Sequence, residues 1–384
     1  MASLGSPFWR ARHRQNERRD RPDVAIGSGT MTPRTQRFRA RRLILHLGLA
    51  KTGTTLLQES LHASRAALLS QYGMLYPSMA ANHYHFQTVT SRRPETLIQI
   101  RRDGVSEPGA ARRLGQRFLE AFEEELAQTR PNTIVISSEY FASMPADEFS
   151  ELLLLLRQYA DEVSAVLYMR DPWSYTLSLV QQYICDGLAL APVRPGYASG
   201  QVELIQKFEE VLGDALQVRP YLGGPQRTDI LADFCTVAGI DARHVARQSG
   251  AAENKAIGHI RATIIAEFNA LWPQYDGNGL YIQSNARDAA MRHLLELPLQ
   301  DRKMELSRRH ADIIATRAAA DMAYVERRYF SGRPVFSGLI KDVHFRSFNE
   351  IISMDTLGPD DLRHYARATI HALRETSDIQ QGDG

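Results

Sequence analysis

"LILHLGLAKTGTTLLQ", residues 43–58, decides the fold. Leu43–Leu47 is a short apolar run that reads as a buried parallel strand. Gly48 and Gly53 follow, and from Thr54 the apolar residues recur at helical spacing as far as Gly73. A strand, a glycine loop and a helix in that order make the first half of a nucleotide-binding α/β unit. The loop departs from the Walker pattern G-x-x-x-x-G-K-[ST] in one respect. The glycine spacing is kept, but Thr54 stands where the lysine belongs, and the lysine is Lys51, inside the loop. Backbone N–H groups of a glycine loop opening a helix bind an anion. Lys51 adds a point charge, and Thr54 and Thr55 add hydroxyls. In a nucleoside triphosphatase the lysine after the second glycine reaches the β- and γ-phosphates, with a Walker B carboxylate and magnesium nearby. Thr54 cannot do that, and only Glu139 could serve as the carboxylate, so magnesium-dependent triphosphate hydrolysis is disfavoured and no metal is expected.

Working outward, "TIVISSEYF" (133–141), "EVSAVLYMRD" (162–171) and "ALQVRPYLG" (215–223) read as further strands. Helical stretches lie between them: 110–129, 146–160, 172–187 and 229–240. Asp171 is placed as N-cap and Pro172 as first helical residue. Strands alternating with helices predict an α/β fold of P-loop type, a mostly parallel sheet flanked by helices. From about residue 254 the pattern is helical. The organisation expected is a basic, disordered tail over 1–41 and one domain over 42–384.

At the loop a family is recognisable. "LGLAKTGTT" resembles the 5′-phosphosulfate loop of sulfotransferases that use 3′-phosphoadenosine 5′-phosphosulfate (PAPS), which reads K-[ST]-G-T-T after an apolar strand. The resemblance implies that Lys51, Thr52, Gly53, Thr54 and Thr55 cradle the donor, with Lys51 at the bridging and leaving oxygens. The family binds the donor's 3′-phosphate with an arginine leaving a later strand and a serine eight residues on. "VLYMRDPWSYTLSLVQQY" supplies Arg170 and Ser178 at that spacing. An arginine fork and a hydroxyl on one wall suit a phosphate. Further on, "VRPYLGGPQRTDILADFCTVAGID" is similar to a segment of bacterial carbohydrate-type members, so the resemblance spans about 42–241. It implies in-line sulfuryl transfer from PAPS, without a metal, to a hydroxyl or amine of a small-molecule, carbohydrate or glycolipid-type acceptor.

The general base is less decided. Relatives place a glutamate or histidine some twenty to thirty residues after the loop, where "MAANHYHFQTV" offers His83 and then His85. A neutral histidine is a competent base near pH 7. Glu139, ending a strand beside the donor crevice, is the rival. His46, inside the first strand, reads as a core histidine. Arg92, Arg93, Arg101 and Arg102 either face an anionic acceptor or form a solvated face. Trp173, Tyr175 and Tyr140 line the site or the core.

The 384 residues are 43% apolar with net charge +2, unevenly spread. Met1–Arg42 carries eleven arginines against Glu17, Asp20 and Asp23, so the remainder is mildly acidic. That argues against a nucleic-acid partner for the folded part. Two cysteines, distant from each other, imply neither a disulfide framework nor a zinc site. No apolar run approaches the ~20 residues that span a bilayer, and a cytoplasmic location is expected. The competing readings are a nucleotide or sugar kinase with a degenerate loop, a family member that binds PAPS but has lost transfer, and a protein acting through its basic tail. Oligomeric state has no sequence signature here.

Overall fold

The computed structural model describes residues 38–49, 51–187, 200–223, 227–248, 257–277, 280–297, 299, 304 and 308–337. The expected tail therefore lies almost wholly outside the described residues. Its last arginines do not: β1 (Ala40–Leu47) begins three residues earlier than the apolar run suggests, with Arg41 and Arg42 inside it. Arg39 is tied down by Asp161 (2.9 Å) and by the carbonyl of Ala160 (2.7 Å).

From β1 the chain passes through the glycine loop into α1 (Thr54–Ala63), α2 (Arg65–Tyr72) and β2 (Met74–Leu75). Next come α3 (His85–Thr90), α4 (Ile98–Arg102), α5 (Pro108–Thr129), β3 (Thr133–Ser138), α6 (Ala146–Leu156) and β4 (Ala160–Arg170). They are followed by α7 (Pro172–Cys185), α8 (Gln201–Leu212), β5 (Leu216–Tyr221) and α9 (Ile230–Ala238), and then by α10 (His259–Leu271), α11 (Asn285–Glu296) and α12 (Arg308–Tyr329). The result is an α/β fold with helices on both faces of a five-stranded sheet and a helical C-terminal segment. Its order is β2-β3-β1-β4-β5 and every pairing is parallel.

Both faces of the sheet are buried, which is why its strands read as unbroken apolar runs. Because side chains alternate along a strand, Leu43, Leu45 and Leu47 of β1 join Ile134, Ile136, Leu167 and Met169 on one face. There they meet Phe118 and Phe122 of α5, Phe149 of α6, Phe208 of α8 and Ile314 of α12. Ile44, Val135, Val166 and Tyr168 point the other way, onto Leu57 and Leu61 of α1 and Phe234 of α9. Each such side chain contributes about 1.5–3 kcal/mol on burial. A separate cluster joins α7 to α10 and α11 through Val180, Ile184, Ile264 and Leu294.

Several boundaries differ from the sequence reading. The helix from Thr54 to Gly73 is two helices, broken at Ser64, whose hydroxyl accepts the Ala246 N–H (2.8 Å). Gly73 ends the second in the left-handed conformation that glycine tolerates. The second strand stops at Ser138, and Tyr140–Ser143 is a 3-10 turn. β2 is too short to show a period, and α3, α4 and α8 were not assigned from sequence. The cap expected at α7 is present: Asp171 Oδ1 accepts the Ser174 N–H at 2.8 Å, with Pro172 next.

The end of α7 is fixed by a buried arginine. Arg287 of α11 donates to the Trp272 carbonyl (3.0 Å), Gln274 Oε1 (2.7 Å) and Asn269 Oδ1 (2.6 Å), and Asn269 Nδ2 donates to the Ile184 carbonyl (2.7 Å). Arg287→Met keeps bulk but strands these acceptors, at about 1–3 kcal/mol for each one left unpaired. Urea denaturation should show a loss of several kcal/mol; an unchanged midpoint would mean that the acceptors find other partners.

Candidate functional site

β1 lies between β3 and β4, so the chain leaves β1 to one side of the sheet and later crosses to the other. In open parallel sheets ligands bind at such a switch, at the carboxyl ends of the strands. Three candidate segments gather here: the loop after β1, Glu139 after β3 and Arg170 at the end of β4.

The loop is braced from inside. Gly48 N donates to the Ser138 carbonyl (3.1 Å), and a Cβ on Gly48 would lie 2.8 Å from Thr54 Cγ2 and 3.1 Å from Glu139 Cα. The missing side chain thus lets the loop pass against Glu139. The Thr52 and Thr54 hydroxyls both donate to the Leu49 carbonyl (2.8 and 3.2 Å). Both hydroxyls are thus engaged within the loop, and these two residues can also present their N–H groups. Thr55 is exposed. Gly53, at φ 78°, is the N-cap of α1 and leaves its first turn without a side-chain cap, so orphan N–H groups face outward. Lys51 is itself left-handed, at φ 64°.

Arg170 reaches this loop. Its Nη1 donates to the Lys51 carbonyl at 3.0 Å and its Nε to Ser174 Oγ at 2.7 Å. Asp171 Oδ2 accepts from that same hydroxyl, fixing its orientation. The guanidinium lies 5.9 Å from the Tyr221 ring centre. These contacts occupy Nε and one Nη1 hydrogen and leave Nη2 for a ligand. Ser178 is half-buried, one turn beyond Ser174 on the same face of α7.

Lys51 is half-buried, and burial lowers its pKa; Arg170 adds to that, whereas Cys185, Asp186 and Glu139 oppose it. Two carboxylates therefore act on its ammonium from different elements. Burial raises the Glu139 pKa, and Asp186 raises it further against the pull of Arg102 and Lys51. Asp186 is the C-cap of α7 and pairs with Arg102 of α4 at 3.6 Å, both side chains about two-fifths exposed. Arg102 also lies 5.3 Å from the Tyr281 ring centre. One ammonium, two carboxylates and tyrosines thus act on one another next to an uncapped helix N-terminus.

His83, expected as the base, has other neighbours than these groups. It is completely buried. Its main-chain N–H donates to the Ser137 carbonyl (2.9 Å), Nδ1 accepts the Ser137 N–H (3.0 Å), and Nε2 lies 3.2 Å from the Pro77 carbonyl. With Nδ1 accepting, Nε2 must carry the proton. Neither nitrogen is left for an acceptor, and burial takes the pKa down to about 3. His85 is sandwiched between Tyr84 (4.0 Å) and Phe118 (4.9 Å), with burial lowering its pKa. His46 is a core residue as expected, but its Nδ1 bonds to Ser137 Oγ (2.7 Å) rather than to backbone. Of the three base candidates, Glu139 alone shares charged neighbours with Lys51. Trp173 packs inside and donates to the Ala311 carbonyl (3.1 Å), and Tyr175 is also buried. Arg92 and Arg93 are engaged by acids on the surface, and Arg101 donates to the Tyr281 carbonyl (3.2 Å).

Among the described residues no group of three or more His, Cys, Asp or Glu could hold a metal ion, and no helix is long and apolar enough to cross a membrane. No protein-family model matches the chain, and no curated protein matches it.

Asp186, Ser174 and Tyr221 were not picked out from sequence. Asp186 carried a signal: a carboxylate at a helix C-terminus opposes the helix dipole, which invites a compensating cation such as Arg102.

His46 and His83 also predict an acid limit. Both titrate near pH 6.5 when unfolded and near 3 in the fold, so between those values the unfolded chain binds more protons. Stability is complete above pH 6.5 and falls as pH drops, at up to about 1.4 kcal/mol per pH unit for each histidine. Denaturation at pH 7.5, 6 and 5 should show this fall, and His83→Asn should flatten it; a stability independent of pH over that range would refute the assignment.

Proposed function

We propose that this chain is a sulfuryl transferase that takes its sulfo group from PAPS and passes it to a hydroxyl or amine. The observation that carries the reading is the 3.0 Å bond from Arg170 to the carbonyl of Lys51. It sets the two anion-binding groups required by a nucleotide phosphorylated on both sides of its ribose next to each other. The chemistry of the residues fits: a free guanidinium nitrogen for one phosphate, and an ammonium with uncapped helix N–H groups for the other.

PAPS supplies a sulfo group on a single phosphate, which leaves as 3′,5′-adenosine diphosphate. Lys51 and the N–H groups of Thr54 and Thr55 stabilise negative charge on the departing side. Arg170, with Ser178 one turn along α7, holds the 3′-phosphate. Glu139 accepts the proton of the acceptor; a raised pKa makes it a stronger base than an ordinary carboxylate, a role worth about 10²–10⁴ in rate. Asp186, Arg102, Tyr140 and Tyr281 meet the acceptor, and their polarity suits a polyol such as a carbohydrate.

Calorimetric titration tests the donor. 3′,5′-Adenosine diphosphate should bind more tightly than ADP, and Lys51→Ala or Arg170→Ala should each weaken it by about tenfold or more, or 1.4 kcal/mol. Tighter binding of ATP with magnesium would replace this reading with a kinase. Given an acceptor, Glu139→Gln should lower kcat by about 10²-fold or more and remove the acidic limb of the pH–rate profile. An unchanged kcat would exclude Glu139 as base.

A further inference from the structure

β4 runs past its neighbour. Its register with β1 runs to His46–Val166 and β1 ends at Leu47, so Tyr168–Arg170 extend beyond β1, paired with β5 as far as Arg170–Tyr221. At Arg170 a side chain takes the place of the missing strand. Gln201, the first residue of α8, is completely buried. Its Oε1 accepts the Arg170 N–H at 3.0 Å and its Nε2 donates to the Arg170 carbonyl at 2.9 Å. Only one orientation of the amide satisfies both bonds. Glutamate could accept but not donate, and methionine could do neither.

We infer that Gln201 is a positioning residue for Arg170, and through it sets how strongly the site prefers a nucleotide carrying a 3′-phosphate. This rests on the donor reading above. The arginine is clamped at both ends: Gln201 holds the main chain at its root, and the Ser174–Asp171 pair holds Nε. Fixing both leaves the outer guanidinium edge little freedom, so its hydrogen bonds to a phosphate lose less conformational entropy. If the root is released, Arg170 keeps its charge but loses its aim. A bidentate or in-plane contact depends on that aim far more than a point charge does. Gln201 bonds Arg170 itself and reaches the 5′ half of the site through the Arg170–Lys51 bond, so the larger effect should fall on the 3′-phosphate.

The test compares two probes, 3′,5′-adenosine diphosphate and AMP, on the full chain. Their ratio of dissociation constants isolates the 3′-phosphate. In Gln201→Met, which conserves volume, the ratio should fall by about tenfold while AMP affinity stays within about twofold of wild type. Gln201→Glu keeps the acceptor for the Arg170 N–H; it should shift the ratio the same way by less, and it carries the test if the methionine variant does not fold. An equal loss for both probes would mark a purely structural role and overturn the inference, as would an unchanged ratio. If the wild-type protein does not distinguish the probes at all, it is the donor reading that fails. Discrimination in wild type with an unmoved ratio in both variants refutes Gln201 alone.

Discussion

The hydrogen bond from Arg170 Nη1 to the Lys51 carbonyl is the contact on which the carboxyl edge of this sheet depends. It joins the end of β4 to the loop after β1. It also accounts for a backbone that its residue would not choose. Lys51 sits at φ 64°, a region where a side chain with a Cβ costs roughly 1–2 kcal/mol. Strain of this kind persists where surrounding contacts over-determine it, and it gathers at functional sites. Here those contacts are the arginine from one side and the Thr52 and Thr54 hydroxyls on Leu49 from the other.

The electrostatics follow from the same arrangement. Burial first, and the neighbouring guanidinium of Arg170 second, push Lys51 below its ordinary pKa in the free protein. Glu139 and Asp186 offset part of that repulsion without closing on the ammonium. An anionic ligand would relieve the rest. Burial raises the pKa of both acids against the pull of Arg102 and Lys51, and Asp186 in addition pairs with Arg102 at 3.6 Å.

What could be read from the sequence was whatever is written locally. The strand, loop and helix at 43–58, the cap at Asp171 and the alternation that makes the sheet parallel all depend on neighbours within a few residues. So does the eight-residue step from Arg170 to Ser178, because a helix fixes it. The order of strands was not legible, since no short stretch encodes it, and β2 has too few residues to show a period. Asp186 and Arg102 meet through the fold, 84 positions apart in sequence. The burial of His83 was not legible for the same reason. A histidine in a loop reads as reactive whether it opens on a cleft or on the core, and only the packing of Tyr76 and Phe86 around His83 decides between them.

His83 and Gln201 have a common explanation. Strands in this sheet end at different heights, and the ones that run on must satisfy their backbone without a neighbour. β3 outruns the two-residue β2 and finds His83, whose main-chain N–H and Nδ1 both engage Ser137. β4 outruns β1 and finds Gln201 on Arg170. In each case a residue from outside the sheet plays the part of a strand where the ladder runs out. The buried polar side chains nearest the site thus serve its geometry, and the groups placed to meet a ligand are the incompletely paired ones: Lys51, Glu139 and the outer edge of Arg170.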